Sequence, residues 1–275
     1  MNKKRTVFFV SDQTGVTAET MGHSLLTQFD SLDFRPVTLP FISTLDKAYE
    51  VVGKVNAVSA EDGTRPIVFS TLVNDEVRDI VKVADCLYLD FFDAFLGPME
   101  QELGQRSSHA AGRAHGMVDL DAYTTRINAT NFALANDDGT QTRDYDRADV
   151  ILVGVSRSGK TPTCLYMALQ YGIYAANFPL TEDDLERVRL PVPVEAHRHK
   201  LFGLTIRPER LQQIRHERRP DSKYASMPQC TFEVREAERL LDRCGIPYLD
   251  TADCSIEEIS SRILERMDIE RRTRP

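Results

Sequence analysis

The chain has no uncharged apolar run approaching the roughly eighteen residues needed to span a bilayer. It also has no C-x-x-C pair, no H-E-x-x-H or H-x-x-x-H set and no G-x-G-x-x-G. Each absence removes a class of function. A membrane span is not expected, and the apolar stretch Thr6–Val10 behind the basic start Met1–Arg5 is too short for a signal-peptide core. The five cysteines (Cys86, Cys164, Cys230, Cys244 and Cys254) are scattered and odd in number. Neither a zinc site nor a disulfide framework is indicated, so a reduced, cytoplasmic setting is expected. Positive charge is also scarce: the net charge of −8 argues against a nucleic-acid partner. A dinucleotide site has no support without its glycine fingerprint. What remains is an ordinary globular composition, 41% hydrophobic and 28% charged, on 275 residues, long enough for one large or two small domains.

Against these absences one stretch stands out. Val150–Val153 has the length and β-branched content of a buried strand, and it runs into Gly154-Val155-Ser156-Arg157-Ser158-Gly159-Lys160-Thr161. This matches G-x-x-x-x-G-K-[ST] at every required position. Glycines let backbone N–H groups close around phosphate oxygens, and the N-terminus of the helix that follows adds partial positive charge. Lys160 is expected to reach the outermost phosphates and the Thr161 hydroxyl to hold Mg²⁺. Pro162 falls in the first helical turn, where a missing N–H costs nothing. Cys164, one turn further on, reads as a small core residue.

The N-terminal half alternates strand-like and helix-like segments. Strands are expected at Thr6–Val10, Pro36–Leu39, Pro66–Phe69 and Leu87–Phe91, with helices near 16–29, 44–57, 75–83 and 94–103, the third capped by Asn74. This alternation implies a parallel α/β sheet, whose ligands sit beyond the carboxyl ends of its strands. Ser11-Asp12-Gln13-Thr14-Gly15 occupies that place after the first strand. It reads either as a second polar site, with Asp12 and Thr14 facing a phosphate or a target side chain, or as a helix-capping turn. The Gly-, Ser- and His-rich stretch Gly104–Gly116 is a linker or a functional loop, in which Arg113 and His115 can bind phosphate or shuttle a proton. A helix over about 120–134 and the turn Asn136-Asp137-Asp138-Gly139 follow.

In the C-terminal half a strand is expected at Ile173–Asn177, and behind it stand Asp183 and Asp184. A carboxylate there suits phosphoryl transfer to a hydroxyl, which needs a group to orient or accept the proton. The same residues also suit an acidic helix start. A strand at 200–206 leads into Arg207–Arg219, five arginines in thirteen residues, among them Arg207, Arg210 and Arg215. Arginines stabilise charge in phosphoryl transfer, so nucleotide or phosphate contact is expected of this segment rather than a self-paired solvated helix. No aromatic residues interleave as a nucleic-acid stripe would require. Cys230–Cys244 reads as an amphipathic helix, Ile246–Leu249 as a last strand, and Ser255–Glu258 as the capping box of a final helix. Between Asp184 and Lys200 no apolar strand ends in an aspartate, so metal coordination rests on Thr161 and an unidentified carboxylate.

Several of these motifs carry a resemblance. Gly154–Thr163, Ala175–Pro179, His199–Ile206, Ser222–Ala225, Ser11–Glu19 and Arg113–Gly116 resemble segments of the bacterial phosphoenolpyruvate synthase regulatory proteins, relatives of the pyruvate, phosphate dikinase regulatory proteins. The resemblance runs from about Thr6 to Met267. It implies a bifunctional serine/threonine kinase and phosphotransferase. One arm would use ADP to phosphorylate a threonine beside the phosphorylated catalytic histidine of the target, inactivating it. The other would use inorganic phosphate to remove that group, releasing pyrophosphate. The target implied is phosphoenolpyruvate synthase in its phosphohistidine form, with the dikinase as alternative. Asp183, Asp184, Asp12 and His115, in that order, are candidates for the acid/base.

The expected fold is α/β: a parallel, Rossmann-like N-terminal domain over 1–104, a linker and helical connector over 105–147, and a P-loop kinase-like domain over 148–275. A homo-oligomer with neither nucleic acid nor membrane as partner is expected. Two other functions fit the residues, an ATP-dependent small-molecule kinase and a non-catalytic nucleotide sensor.

Overall fold

The computed structural model describes residues 4–108, 120–187 and 189–273. The chain divides into two compact units, Met1–Gly116 and Met117–Pro275. Each is built on a four-stranded sheet whose strand pairs are all parallel.

In the first unit the order is β2-β1-β3-β4, with β1 Arg5–Ser11, β2 Phe34–Leu39, β3 Ile67–Thr71 and β4 Leu87–Asp90. β1 is central and buried along Thr6–Ser11, as expected of an apolar run covered on both faces. The helices are α1 Val16–Leu26, α2 Leu45–Asp62, α3 Asp75–Lys82 and α4 Phe91–Leu103. Thr44 caps α2, and Asn74 caps α3 by accepting from the Val77 N–H at 3.1 Å. The expected last strand stops one residue early because Asp90 turns its carboxylate onto the Phe92 and Asp93 N–H groups, both at 2.9 Å, and starts α4.

In the second unit the order is β6-β5-β7-β8, with β5 Val150–Gly154, β6 Ala175–Pro179, β7 Leu201–Thr205 and β8 Tyr248–Asp250. Among the described residues seven α-helices accompany it: α5 Leu120–Ala135, α6 Lys160–Tyr171, α7 Glu182–Arg187, α8 Val192–Glu195, α9 Pro208–Arg218, α10 Met227–Cys244 and α11 Ile256–Arg266. α5, assigned to a connector from the sequence, packs Ala129 and Ala133 into the same core as Met167 and Ala168 of α6. β6 begins two residues later than expected. Gly172 closes α6 in the left-handed conformation and the Ile173 N–H bonds to Met167 O, so the cap consumes the first apolar residues of that run. All five cysteines are free, and Cys164 is a core residue whose thiol is pushed up by burial. Among the described residues no helix is long and apolar enough to cross a membrane.

Both sheets carry the order second-first-third-fourth. The chain reverses its direction of travel across the sheet between β1 and β3 in one unit and between β5 and β7 in the other. At such a switch point the loops diverge and leave a crevice at the carboxyl ends of the strands. The loop after β5 is Val155–Gly159.

Candidate phosphate site at the β5–α6 loop

The loop after β5 is held from outside through its carbonyls. Leu180 N donates to Gly154 O at 3.0 Å, the Ser158 hydroxyl to Val155 O at 3.0 Å, and the Arg215 guanidinium to Ser156 O at 3.1 Å. The Thr251 hydroxyl donates to Ser158 O at 3.2 Å and that of Thr163 to Gly159 O at 2.8 Å. Two glycines are indispensable for different reasons. A Cβ at Gly154 would stand 2.2 Å from Leu204 O of the neighbouring strand, whereas Gly159 has open space around it but a φ of 88°. Arg157, exposed between them, adopts φ 79°, a left-handed backbone that costs a side-chain-bearing residue about 1–2 kcal/mol and is found mainly at functional turns.

Lys160 begins α6 and is buried. Its ammonium folds back to donate to Gly154 O at 3.1 Å and Val155 O at 2.9 Å. Burial lowers its pKa to about 8, against the opposing pull of Asp138, Cys164 and Asp137.

The Thr161 hydroxyl donates to Asp137 Oδ1 at 2.8 Å. Asp137 opens the short 3-10 turn Asp137–Gly139, which precedes β5. Asn177, fully buried on β6, holds that turn: its amide donates to the Asp137 carboxylate, and its carbonyl accepts from the Asp138 N–H at 3.0 Å. The sequence analysis places this turn in the connector before the P-loop domain and gives it no part in the site. Its Asp137 is the carboxylate that the Thr161 hydroxyl meets. Two signals pointed to it: paired carboxylates just upstream of the loop strand, and an asparagine inside the apolar run Ala175–Phe178.

The remaining candidates are placed as follows. Asp184 accepts from the Thr181 N–H at 3.0 Å and the Thr181 hydroxyl at 2.6 Å, closing the N-terminus of α7, with Asp183 exposed beside it. This is the acidic helix start that was the alternative reading of those residues. Asp12 belongs to the first unit. It is buried after β1, its carboxylate accepts from the Val73 N–H at 3.4 Å, and burial raises its pKa. His115 lies outside the described residues. Of the arginines, Arg207 pairs with Asp253 at 2.5 Å and Arg210 bonds to the Gln213 amide oxygen at 3.2 Å. Arg215 is fully buried and pairs with Glu233 of α10 at 2.6 Å. The segment's charge is therefore answered partly by acids distant in sequence, and Arg215 grips the loop's own backbone rather than pointing into its interior.

An oxygen pair of one hydroxyl and one carboxylate fits a magnesium ion, which is commonly held by one or two carboxylates, substrate phosphates and water. Among the described residues no three His, Cys, Asp or Glu side chains gather into a protein-only metal cage. Thr161 and Asp137 are the residues that would hold such an ion, with phosphate oxygens and water completing its shell.

The family model described as kinase/pyrophosphorylase matches residues 7–264. The chain belongs to that family. Among its curated relatives is a protein of Alcanivorax borkumensis named "Putative phosphoenolpyruvate synthase regulatory protein", 55% identical over 269 residues that make up 98% of this chain and 99% of the relative. Proteins of the same name from Pseudomonas putida and Alkalilimnicola ehrlichii are 55% and 56% identical, each over 98% of this chain. The family match runs through both units, so it includes Asp12 as well as the loop after β5.

Proposed function

We propose that this chain regulates phosphoenolpyruvate synthase by moving a phosphoryl group on and off a threonine of that enzyme, the threonine lying beside its phosphohistidine. The observation that carries this reading is the loop after β5, with Lys160 on its carbonyls and Thr161 against Asp137. In the forward arm the threonine hydroxyl attacks the β-phosphorus of ADP. The bond between that phosphorus and the bridging oxygen breaks, AMP leaves, and the hydroxyl proton passes to a carboxylate or solvent. In the reverse arm an oxygen of inorganic phosphate attacks the phosphothreonine phosphorus. The threonine oxygen leaves and takes up a proton, and the product is pyrophosphate.

Both arms place two phosphate groups in line, so one cradle serves both. Lys160 binds the group common to ADP and pyrophosphate, the α6 N-terminus and loop N–H groups neutralise its oxygens, and Asp137 orients the Thr161 hydroxyl. Thr161 and Asp137 are the residues that would hold a magnesium ion, which would supply positive charge to offset that of the phosphates. Free cysteines and a protein substrate fit a reduced, cytoplasmic setting.

The test uses purified protein, the synthase pre-loaded with phosphoenolpyruvate, and ADP labelled at the β-phosphate, beside ATP labelled at the γ-phosphate. Label on a synthase threonine from ADP alone is the expected result. Label from ATP alone would leave a kinase and overturn the donor, and label on the dikinase but not the synthase would overturn the target.

A further inference from the structure

The sequence reading placed Arg215 among the phosphate ligands, but the structure gives it different work and brings in a residue that reading did not use. The buried guanidinium has its charge answered by Glu233 at 2.6 Å. Its two terminal nitrogens also donate to two backbone carbonyls, Ser156 O of the loop and Tyr224 O of the one-turn helix Lys223–Ala225, both at 3.1 Å. Its Cζ lies over the Tyr224 ring, 4.1 Å from the ring centre. One fork thus fixes the loop and the tyrosine segment relative to each other. The outcome is a side-chain contact at the loop itself: Tyr224 and Ser156 hydroxyl oxygens stand 3.0 Å apart. Lys223, paired with Glu182 at 3.2 Å, ties the same segment to the first residue of α7.

Two hydroxyls that share one hydrogen bond hold two protons and use one. The second proton must find an acceptor, and in a phosphate loop the acceptor that arrives is a phosphate oxygen. Tyr224 is half-buried, so its ring is packed while the hydroxyl remains within reach of the loop. We propose that Tyr224 and Ser156 form a phosphate-contacting hydroxyl pair on the wall of the β5–α6 loop, and that Arg215 is the positioning residue that sets it. The ligand class is a phosphate monoester, diphosphate or inorganic phosphate, bound by this pair in addition to the backbone cradle. The inference rests on the loop being the phosphate site.

The experiment measures the affinity of the full chain for inorganic phosphate and for ADP by calorimetry. Tyr224→Phe keeps the ring against Arg215 and removes only the hydroxyl. Losing a hydrogen bond to a charged group should weaken phosphate about tenfold with an unchanged melting temperature. Ser156→Ala should do the same, and the double variant should be no weaker than the weaker single one, since the pair acts as a unit. Arg215→Lys keeps charge beside Glu233 but not the fork. It is expected to lower phosphate affinity in the wild-type background and to change nothing further in the Tyr224→Phe background. Unchanged phosphate affinity in Tyr224→Phe, or losses that simply add, would overturn the pair. Lys160→Ala separates this from the parent reading: if it too leaves both affinities unchanged, the loop is not the phosphate site.

Discussion

Thr161 and Asp137 are 24 residues apart in sequence and 2.8 Å apart in space, joined by a hydroxyl that donates to a carboxylate. Their partner Asn177 comes from a third segment, so the pair is fixed by the sheet and not by local chain geometry. Asp137→Asn preserves size and removes the charge. Phosphoryl transfer should fall by about ten- to a hundredfold, and the magnesium concentration giving half-maximal rate should rise, as is usual when a ligand or its orienting partner is lost. A titration of rate against magnesium checks both. An unaltered magnesium dependence would remove Asp137 from the ion's surroundings.

Lys160 is expected to gain its missing proton when phosphate binds. Its pKa of about 8 lies below the 10.5 of a free lysine because the ammonium is buried, and a bound anion restores the charged form. Binding at about pH 8.5 should therefore take up a substantial fraction of a proton, and binding at about pH 6.5 almost none. Calorimetry in buffers of different ionisation heat reads the difference. The same shift has a consequence for stability. Between the folded and unfolded values the unfolded chain binds more protons, so this residue's contribution to stability rises with pH across that window and is least favourable below it.

The two loop glycines should fail in different ways. Gly159→Ala meets no neighbour and carries only the strain of its left-handed backbone, about 1–2 kcal/mol. Gly154→Ala drives a Cβ against Leu204 O of the adjacent strand and should exceed about 4 kcal/mol, or prevent folding. Urea unfolding of the two variants side by side would show the order, and equal costs would contradict it.

Asp184→Ala should register chiefly as stability. Its carboxylate closes the start of α7 on Thr181, a contact worth about 1 kcal/mol in comparable caps. A matching fall in melting temperature with near-normal phosphoryl transfer is expected. Loss of transfer with full stability would return Asp184 to the chemistry.

The alternating elements were legible because each is encoded locally. Val150–Val153 is apolar throughout, Asn74 and Ser255 announce caps, and the spacing of Gly154, Gly159, Lys160 and Thr161 is contiguous. What could not be read was assembled across the sheet. Asp137 stands in a turn that looks like any Asp-Gly turn until β6 places Asn177 against it. Arg215 looked like a ligand because sequence shows its charge and not Glu233 beside it. Tyr224 stood within the resembling segment Ser222–Ala225 but gave no chemical signal, for its contacts are to an arginine nine residues away and a serine 68 residues away.

The shared strand order of the two sheets has one more consequence. The loop after β1 ends at Gly15, with φ 85° and no side-chain cap, and opens α1; the loop after β5 ends at Gly159, with φ 88° and no side-chain cap, and opens α6. The following residues are Val16-Thr17 in one and Lys160-Thr161 in the other. The polypeptide thus makes the same turn twice, once followed by an isopropyl group and once by an ammonium, so that a left-handed glycine helix start with and without a buried lysine can be compared within a single molecule.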